Sequence, residues 1–230
     1  MFLDDLVVIS SRALKRYPEA QAYLAGRLIT GEDIEKYRIG YWKTIGVPND
    51  GTEDRERFME EAWKGRRYEG MIIFPILDAL GRAVGIIGRS ISSKLFNTFL
   101  LEEARYNGFF FGFYQALPDI YERNKAYVVE GAPDTIALSK VIPNTVGAST
   151  AGLYENQYEY LKLFCDEIVT VFDSDEAGRE AADKAVKFLK GVSKMDLGYH
   201  DPDNCLKTLG LQGFHKHVKN KMNKLSFLGG

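Results

Sequence analysis

Three acidic groups in the second half of the chain have the residue types and spacing to hold divalent cations. They are Glu130-Gly131-Ala132-Pro133-Asp134, Asp173-Ser174-Asp175 and Asp201-Pro202-Asp203. Carboxylates brought to one point repel one another and resist ionisation unless a cation sits among them. The cation that suits such oxygen ligands is most often Mg2+, which commonly works together with phosphate groups. Chemistry on phosphates is therefore what this cluster could do. Each group also has a plainer reading. Glu130 could be a surface residue closing a strand. Asp175 could be only the N-cap of the helix after it, and Asp201-Pro202-Asp203 a turn with an N-cap aspartate. The N-cap reading leaves Asp173 without a role.

The elements that must position these groups are visible as apolar runs. Ala126-Tyr127-Val128-Val129 and Ile168-Val169-Thr170-Val171-Phe172 read as short buried strands that end at Glu130 and Asp173. Gly131, directly after Glu130, permits an unusual turn. Helices are expected over 133–140, 155–164 and 177–189, a last strand over 194–197 and a short helix over 203–209. From Phe214 onward the chain reads as a basic tail expected to fray. This alternation of strand and helix predicts an α/β fold with a mostly parallel sheet. In such a sheet, ligands bind outside the carboxyl ends of the strands, where these carboxylates lie.

The first half reads differently. Residues 1–40 are expected to be helical, with Thr30 as an N-cap and Asp33 at N3. A strand at Ile39–Trp42 and a charged helix over 53–63 follow. Met71 to Arg89 is a hairpin that turns at Asp78-Ala79-Leu80-Gly81. Pro75 predicts that its arm is an edge or ends nearby, and Gly85 and Gly88 predict bulges or close backbone approach. The aromatic run Phe109 to Tyr114 reads as core, with base stacking as the alternative.

The 230 residues carry a formal net charge of −2, with 45% apolar and 27% charged residues. Net charge thus gives no global case for nucleic-acid binding. Its distribution says more. Lys64-Gly65-Arg66-Arg67 forms one basic cluster, and Lys207, Lys216, Lys219, Lys221 and Lys224 form another in a stretch without acidic residues. Basic patches beside an acidic metal site suit a protein that handles polyanions, although either alone reads as solvated surface. No run of about 18 apolar residues occurs, so no membrane span is expected. The acidic start Met1-Phe2-Leu3-Asp4-Asp5 lacks the features of a signal peptide. Cys165 and Cys205 read as free thiols of a reducing cytoplasm, and no zinc is expected.

Taken together, Glu130-Gly131 and Asp173-Ser174-Asp175 resemble the signature of the Toprim domain. That domain is shared by DnaG-type primases, topoisomerases and some nucleases. Four features bring the resemblance to the catalytic core of DnaG-type primases. They are Glu130-Gly131 with Asp134, Asp173 to Gly178 with Ala181-Ala182, Asp201-Pro202-Asp203, and the segment from Phe74-Pro75-Ile76 through Gly88-Arg89 to Lys94 and Asn97. The likeness covers roughly residues 15–210. It implies an α+β basic subdomain over 1–112, a linker over 113–124, a Rossmann-like Toprim domain over 125–210 and a basic tail over 211–230. It further implies synthesis of RNA primers from nucleoside triphosphates (NTPs) on single-stranded DNA. Glu130, Asp173 and Asp175 would be the main ligands of Mg2+ or Mn2+, with Asp134, Asp201 and Asp203 around further ions or their waters. Arg66, Arg67, Arg89, Lys94 and Asn97 would face nucleotide or nucleic acid. A replicative helicase is an implied partner and the cytoplasmic replisome the implied location, in a trimmed core or a minimal phage-encoded form. The family's zinc module and helicase-contacting region are not expected here, and Ser174 stands where the family usually has glycine. A Toprim nuclease and a silent single-strand-binding module are the rival readings.

Overall fold

The computed structural model describes residues 2–43, 46–63, 67–150 and 152–228. They form two compact units, Met1–Asn107 and Gly108–Gly230.

The first unit opens with helices α1 (Phe2–Leu14), α2 (Pro18–Ala25) and α3 (Gly31–Lys36). Thr30 caps α3 reciprocally: its hydroxyl accepts from the Asp33 N–H at 3.2 Å, and its own N–H donates to Asp33 Oδ2 at 2.7 Å. Strand β1 (Gly40–Trp42), helix α4 (Glu53–Phe58) and a π-helical turn (Met59–Trp63) follow. Then come β2 (Met71–Leu77), β3 (Ala83–Ser90), β4 (Phe96–Leu100) and α5 (Glu102–Asn107). The four strands form one antiparallel sheet in the order β1-β2-β3-β4. Every residue of β2 is buried, which is why it reads as a continuous apolar run. Phe2 of α1 reaches Phe58 at 5.5 Å and Phe99 at 6.4 Å between ring centroids, so α1 and α4 share one aromatic core with β4.

The hairpin turn is held by Asp78, whose Oδ1 accepts from the Leu80 and Arg82 N–H groups, each at 2.9 Å. Pro75 departs from expectation, because β2 is an interior strand. β1 pairs only with residues 71–73, however, so on that side Pro75 faces no ladder that needs its missing N–H. Gly85 and Gly88 mark close approach. A Cβ would lie 2.5 Å from Leu100 Cδ2 at the first and 2.5 Å from the Tyr68 ring at the second. A bulge also adjoins the first of them: Ile76 pairs with Gly85 and Leu77 with Ala83, which leaves Val84 as the extra residue on β3.

The second unit contains α6 (Phe113–Arg123), β5 (Lys125–Val129), α7 (Ala132–Ser139), β6 (Thr145–Gly147), α8 (Glu155–Lys162), β7 (Glu167–Thr170), α9 (Glu176–Phe188), β8 (Val192–Lys194) and α10 (Pro202–Leu228). Its sheet is parallel, in the order β6-β5-β7-β8. Most of the stretch expected as a linker is helix α6. The aromatic run before it is core: Phe110, Phe111 and Phe113 are fully buried, and Phe111 exchanges backbone hydrogen bonds with Gly147 at 2.9 Å each.

Helix α10 breaks at Gly210 (φ 65°, ψ 170°), where the short helix was expected to end. The tail beyond it does not fray but runs as helix to Leu228. Phe214 and Val218 are fully buried against a core that includes Tyr127, Val129, Val169 and Leu206. Phe214, Val218 and the partly buried Met222, spaced four apart in a lysine-rich stretch, are a sparse signal, and they pack on this core. Among the described residues, no helix is long and apolar enough to cross a membrane.

Candidate metal centre

The parallel sheet delivers the acidic groups to one place. Glu130 follows β5, Asp173 and Asp175 lie between β7 and α9, and Asp201 and Asp203 lie at the start of α10. All three segments lie beyond the carboxyl ends of their strands. Glu130 Oε1 accepts the Asp173 N–H at 3.1 Å, which ties the first cluster to the second. Asp134 Oδ1 accepts the Asp203 N–H at 3.2 Å, which ties the first to the third. The structure therefore brings together all six carboxylates expected at the site.

They are not equivalent. Asp175 is indeed the N-cap of α9, accepting the Gly178 N–H at 2.8 Å on Oδ1, but this engages only one of its oxygens. Asp201 Oδ1 accepts the Asn204 N–H at 2.5 Å in the same manner. Asp203 is buried, and its Oδ2 is bound by Lys207 Nζ at 2.7 Å, which makes it the least available for an ion. Gly131 has an ordinary extended backbone (φ −115°, ψ 166°), so no unusual turn occurs. Its lack of a side chain leaves room for the acidic group: a Cβ would stand 2.8 Å from Asp134 Oδ2, and that carboxylate would have to shift.

Residue types and spacing alone did not single out His200. Its Nδ1 lies 3.2 Å from Asp201 Oδ2 and 3.7 Å from Asp173 Oδ2. The available signal was its position immediately before Asp201-Pro202-Asp203. Ser174, noticed only as a departure from the usual glycine, donates its N–H to His200 O at 2.8 Å and its hydroxyl to Tyr199 O.

Burial and mutual repulsion leave this cluster short of positive charge. Burial, then the Glu130 and Asp201 carboxylates, push Asp173 up to about 7. Burial, then Asp201 and Asp173, hold Asp134 well above the usual carboxylate range. Glu130 is raised as well, chiefly by burial and against the hydrogen bond from Asp173. A set of hard oxygen donors that resist ionising side by side fits a divalent cation.

The sign of the pH effect follows. A carboxyl whose pKa is raised on folding contributes stability that is full below its unfolded value near 4 and is lost as pH rises through the folded value. The metal-free protein should therefore lose stability between about pH 4 and pH 7, by on the order of 3 kcal/mol from Asp173. Melting curves in a chelator at pH 5 and pH 8 check this, with Asp173→Asn as the variant in which the difference shrinks. Saturating divalent ion at pH 8 should restore roughly 3 kcal/mol at about a hundred times its dissociation constant.

The basic residues expected at the site lie in the first unit. Arg89 Nη1 donates to Lys94 O at 2.8 Å, while its buried Nε has no partner among the described residues. Lys94 and Arg67 are exposed. Asn97 is buried and braces Arg67, donating to its backbone O at 2.7 Å and accepting from its Nε at 3.0 Å. Arg89 pairs in register with Phe96, and Gly88 with Asn97, which sets these groups at one end of the sheet. Arg66, with Lys64 and Gly65, lies outside the described residues.

Residues 127–206 match the Toprim-like family. This part of the chain is a Toprim-like domain. Its acidic cluster implies use of a divalent metal. Over 94% of its length, the chain is 28% identical to a DNA primase of Neisseria meningitidis. It spans 40% of that relative. The fold likewise extends beyond the Toprim-like domain. A solved DnaG catalytic core is similar with a TM-score of 0.78 at 24% identity, over 95% of this chain and 78% of that one. A DnaG primase catalytic domain bound to single-stranded DNA is similar with a TM-score of 0.74 at 23% identity, over 95% and 77%. The architecture is that of a DnaG-type catalytic core, with the Toprim-like domain following an antiparallel-sheet unit.

Proposed function

We propose that this chain is the catalytic core of a DNA primase, which joins NTPs into short RNA primers on a single-stranded DNA template. What carries the reading is that the likeness to DNA primases runs through both units, over 94% of the chain, and not through the Toprim-like domain alone. A Toprim nuclease would need only the second unit, and nothing in its chemistry accounts for the first.

In the reaction the primer 3′-oxygen forms a bond to the α-phosphorus of the incoming NTP. The bond from that phosphorus to the β-phosphate breaks, pyrophosphate leaves, and the hydroxyl proton passes to solvent. No protein nucleophile is required, so the residues act by positioning and charge. Bound Mg2+ or Mn2+ would supply charge neutralisation at the attacking and leaving oxygens. Glu130, Asp173 and Asp175 would hold it, with Asp134 and Asp201 orienting further ligands and Asp203 restrained by Lys207. Arg89, Lys94, Arg66 and Arg67 would face triphosphate or template–primer duplex, with Asn97 holding Arg67 in place. Arg89 Nε is a buried donor without a partner among the described residues, and an anion at that residue would satisfy it. Association with a replicative helicase in the cytoplasmic replisome belongs to the same reading.

The test is incubation of the chain with single-stranded DNA, labelled NTPs and Mg2+ or Mn2+, followed by sizing of the products. Short RNAs that require template, NTPs and divalent ion are expected. Nicked DNA formed without nucleotides would overturn the assignment in favour of a nuclease.

A further inference from the structure

His200 stands at the edge of the proposed metal site without a part in it. Ligand atoms of Asp173, Asp175 and His200 all lie within 4.8 Å of one another, close enough to surround one ion. The imidazole is not held there by packing, since its side chain is 60% exposed. Backbone contacts set its place. Ser174, between the two aspartates, donates its N–H to His200 O at 2.8 Å and its hydroxyl to Tyr199 O. Tyr199 in turn meets the His217 ring edge-on at 5.3 Å. The loop bearing His200 is therefore latched to the loop bearing Asp173 and Asp175.

We propose that His200 is a nitrogen ligand of the divalent ion held by Asp173 and Asp175, positioned by Ser174, and that it biases this site toward first-row transition ions such as Mn2+ over Mg2+. The proposal rests on the acidic cluster being the metal site of the function proposed above. Mg2+ is a hard ion that takes oxygen ligands and sheds its waters reluctantly. An imidazole nitrogen suits transition ions better, so one such donor among carboxylates shifts the balance without removing the capacity to hold Mg2+.

The experiment uses the full chain with MnCl2 as probe. Pulsed electron paramagnetic resonance of bound Mn2+ is expected to show coupling to a 14N nucleus, and His200→Gln is expected to abolish it. Competition between Mn2+ and Mg2+ should show the preference for Mn2+ falling about tenfold in that variant. Ser174→Gly, which removes the hydroxyl latch, should weaken the nitrogen coupling while Mn2+ still binds. Because His200 is exposed, its replacement should leave the melting temperature in chelator nearly unchanged. Bound Mn2+ without nitrogen coupling in the unaltered chain, or the same ion preference after His200→Gln, would overturn the proposal while leaving the acidic site in place. Unchanged Mn2+ binding in Asp173→Asn would instead put the ion elsewhere and overturn both.

Discussion

Replacing Asp173 with asparagine should reduce templated primer synthesis by about a thousandfold or more and, at the same time, stabilise the metal-free protein. The activity loss follows from removing a charged oxygen at the centre of the acidic cluster. Stabilisation of transition-state charge by a bound metal is worth several kcal/mol, and each 1.36 kcal/mol is about a factor of ten in rate. The stability gain follows from the crowding that pushes Asp173 up to about 7. At pH 8 the folded state must ionise this carboxyl beside Glu130 and Asp201, and an amide is free of that demand. The Asp173 N–H that holds Glu130 is backbone and survives the substitution. A gain of about 1–2 kcal/mol should appear as a rise of a few degrees in the melting temperature in chelator at pH 8. Primer yield and that melting temperature should thus move in opposite directions, as expected where a site is built for a ligand at the expense of the fold. Full synthesis by the variant would remove Asp173 from the chemistry. A lower melting temperature would mean that the carboxylate serves the fold instead.

The acidic site was legible because two kinds of information agreed. The runs ending at Val129 and Phe172 are apolar and short, as buried parallel strands are, and open α/β sheets place their sites beyond such ends. The residues at those ends are carboxylates, and they meet. What was not legible depended on contacts far apart in sequence. Gly131 suggested a special backbone conformation, whereas its actual constraint is the Asp134 carboxylate, visible only once α7 is placed. Pro75 argued for an edge, which holds locally because β1 pairs only with the first three residues of β2. The lysine-rich C-terminal stretch suggested a solvated tail, because Phe214 and Val218 are outnumbered by charge and the core they join is built from residues far earlier in the chain, on β5, α7 and β7. Asn97 suggested a ligand contact, and the bonds its amide makes to Arg67, 30 residues earlier, could not be read from spacing. His200 carried no signal of its own, since one histidine between a tyrosine and an aspartate matches no ligand spacing. Its meaning comes from Ser174, which stands 26 residues earlier and binds its backbone.

Gly178 tests the same site from the backbone side. Gly178→Ala should destabilise the chain by about 2 kcal/mol or more and remove most primer synthesis. On helix propensity alone the substitution would stabilise by up to about 1 kcal/mol, because alanine suits helix α9 better than glycine does. Space reverses the sign. A Cβ at Gly178 would lie 2.2 Å from Asp173 O, 2.9 Å from Asp173 C and 3.0 Å from Asp173 N. All three are backbone atoms, so no rotamer change relieves the clash. Either α9 or the Asp173–Asp175 loop must move, and overpacking of this kind typically costs about 1–3 kcal/mol. The same residue donates its N–H to Asp175 Oδ1, so displacement also loosens the N-cap that orients the second aspartate. Two carboxylates of the site would shift without either being replaced, and Mn2+ affinity should fall together with activity. Gly31→Ala is the control, since it lies at the start of α3 and a Cβ there meets nothing within 4 Å. It should leave stability unchanged or slightly raised. Melting temperature, Mn2+ titration and primer yield for the two variants decide the matter. A Gly178→Ala protein as stable and active as its parent would mean that the loop carrying Asp173 and Asp175 does not pack against α9 as closely as these distances require.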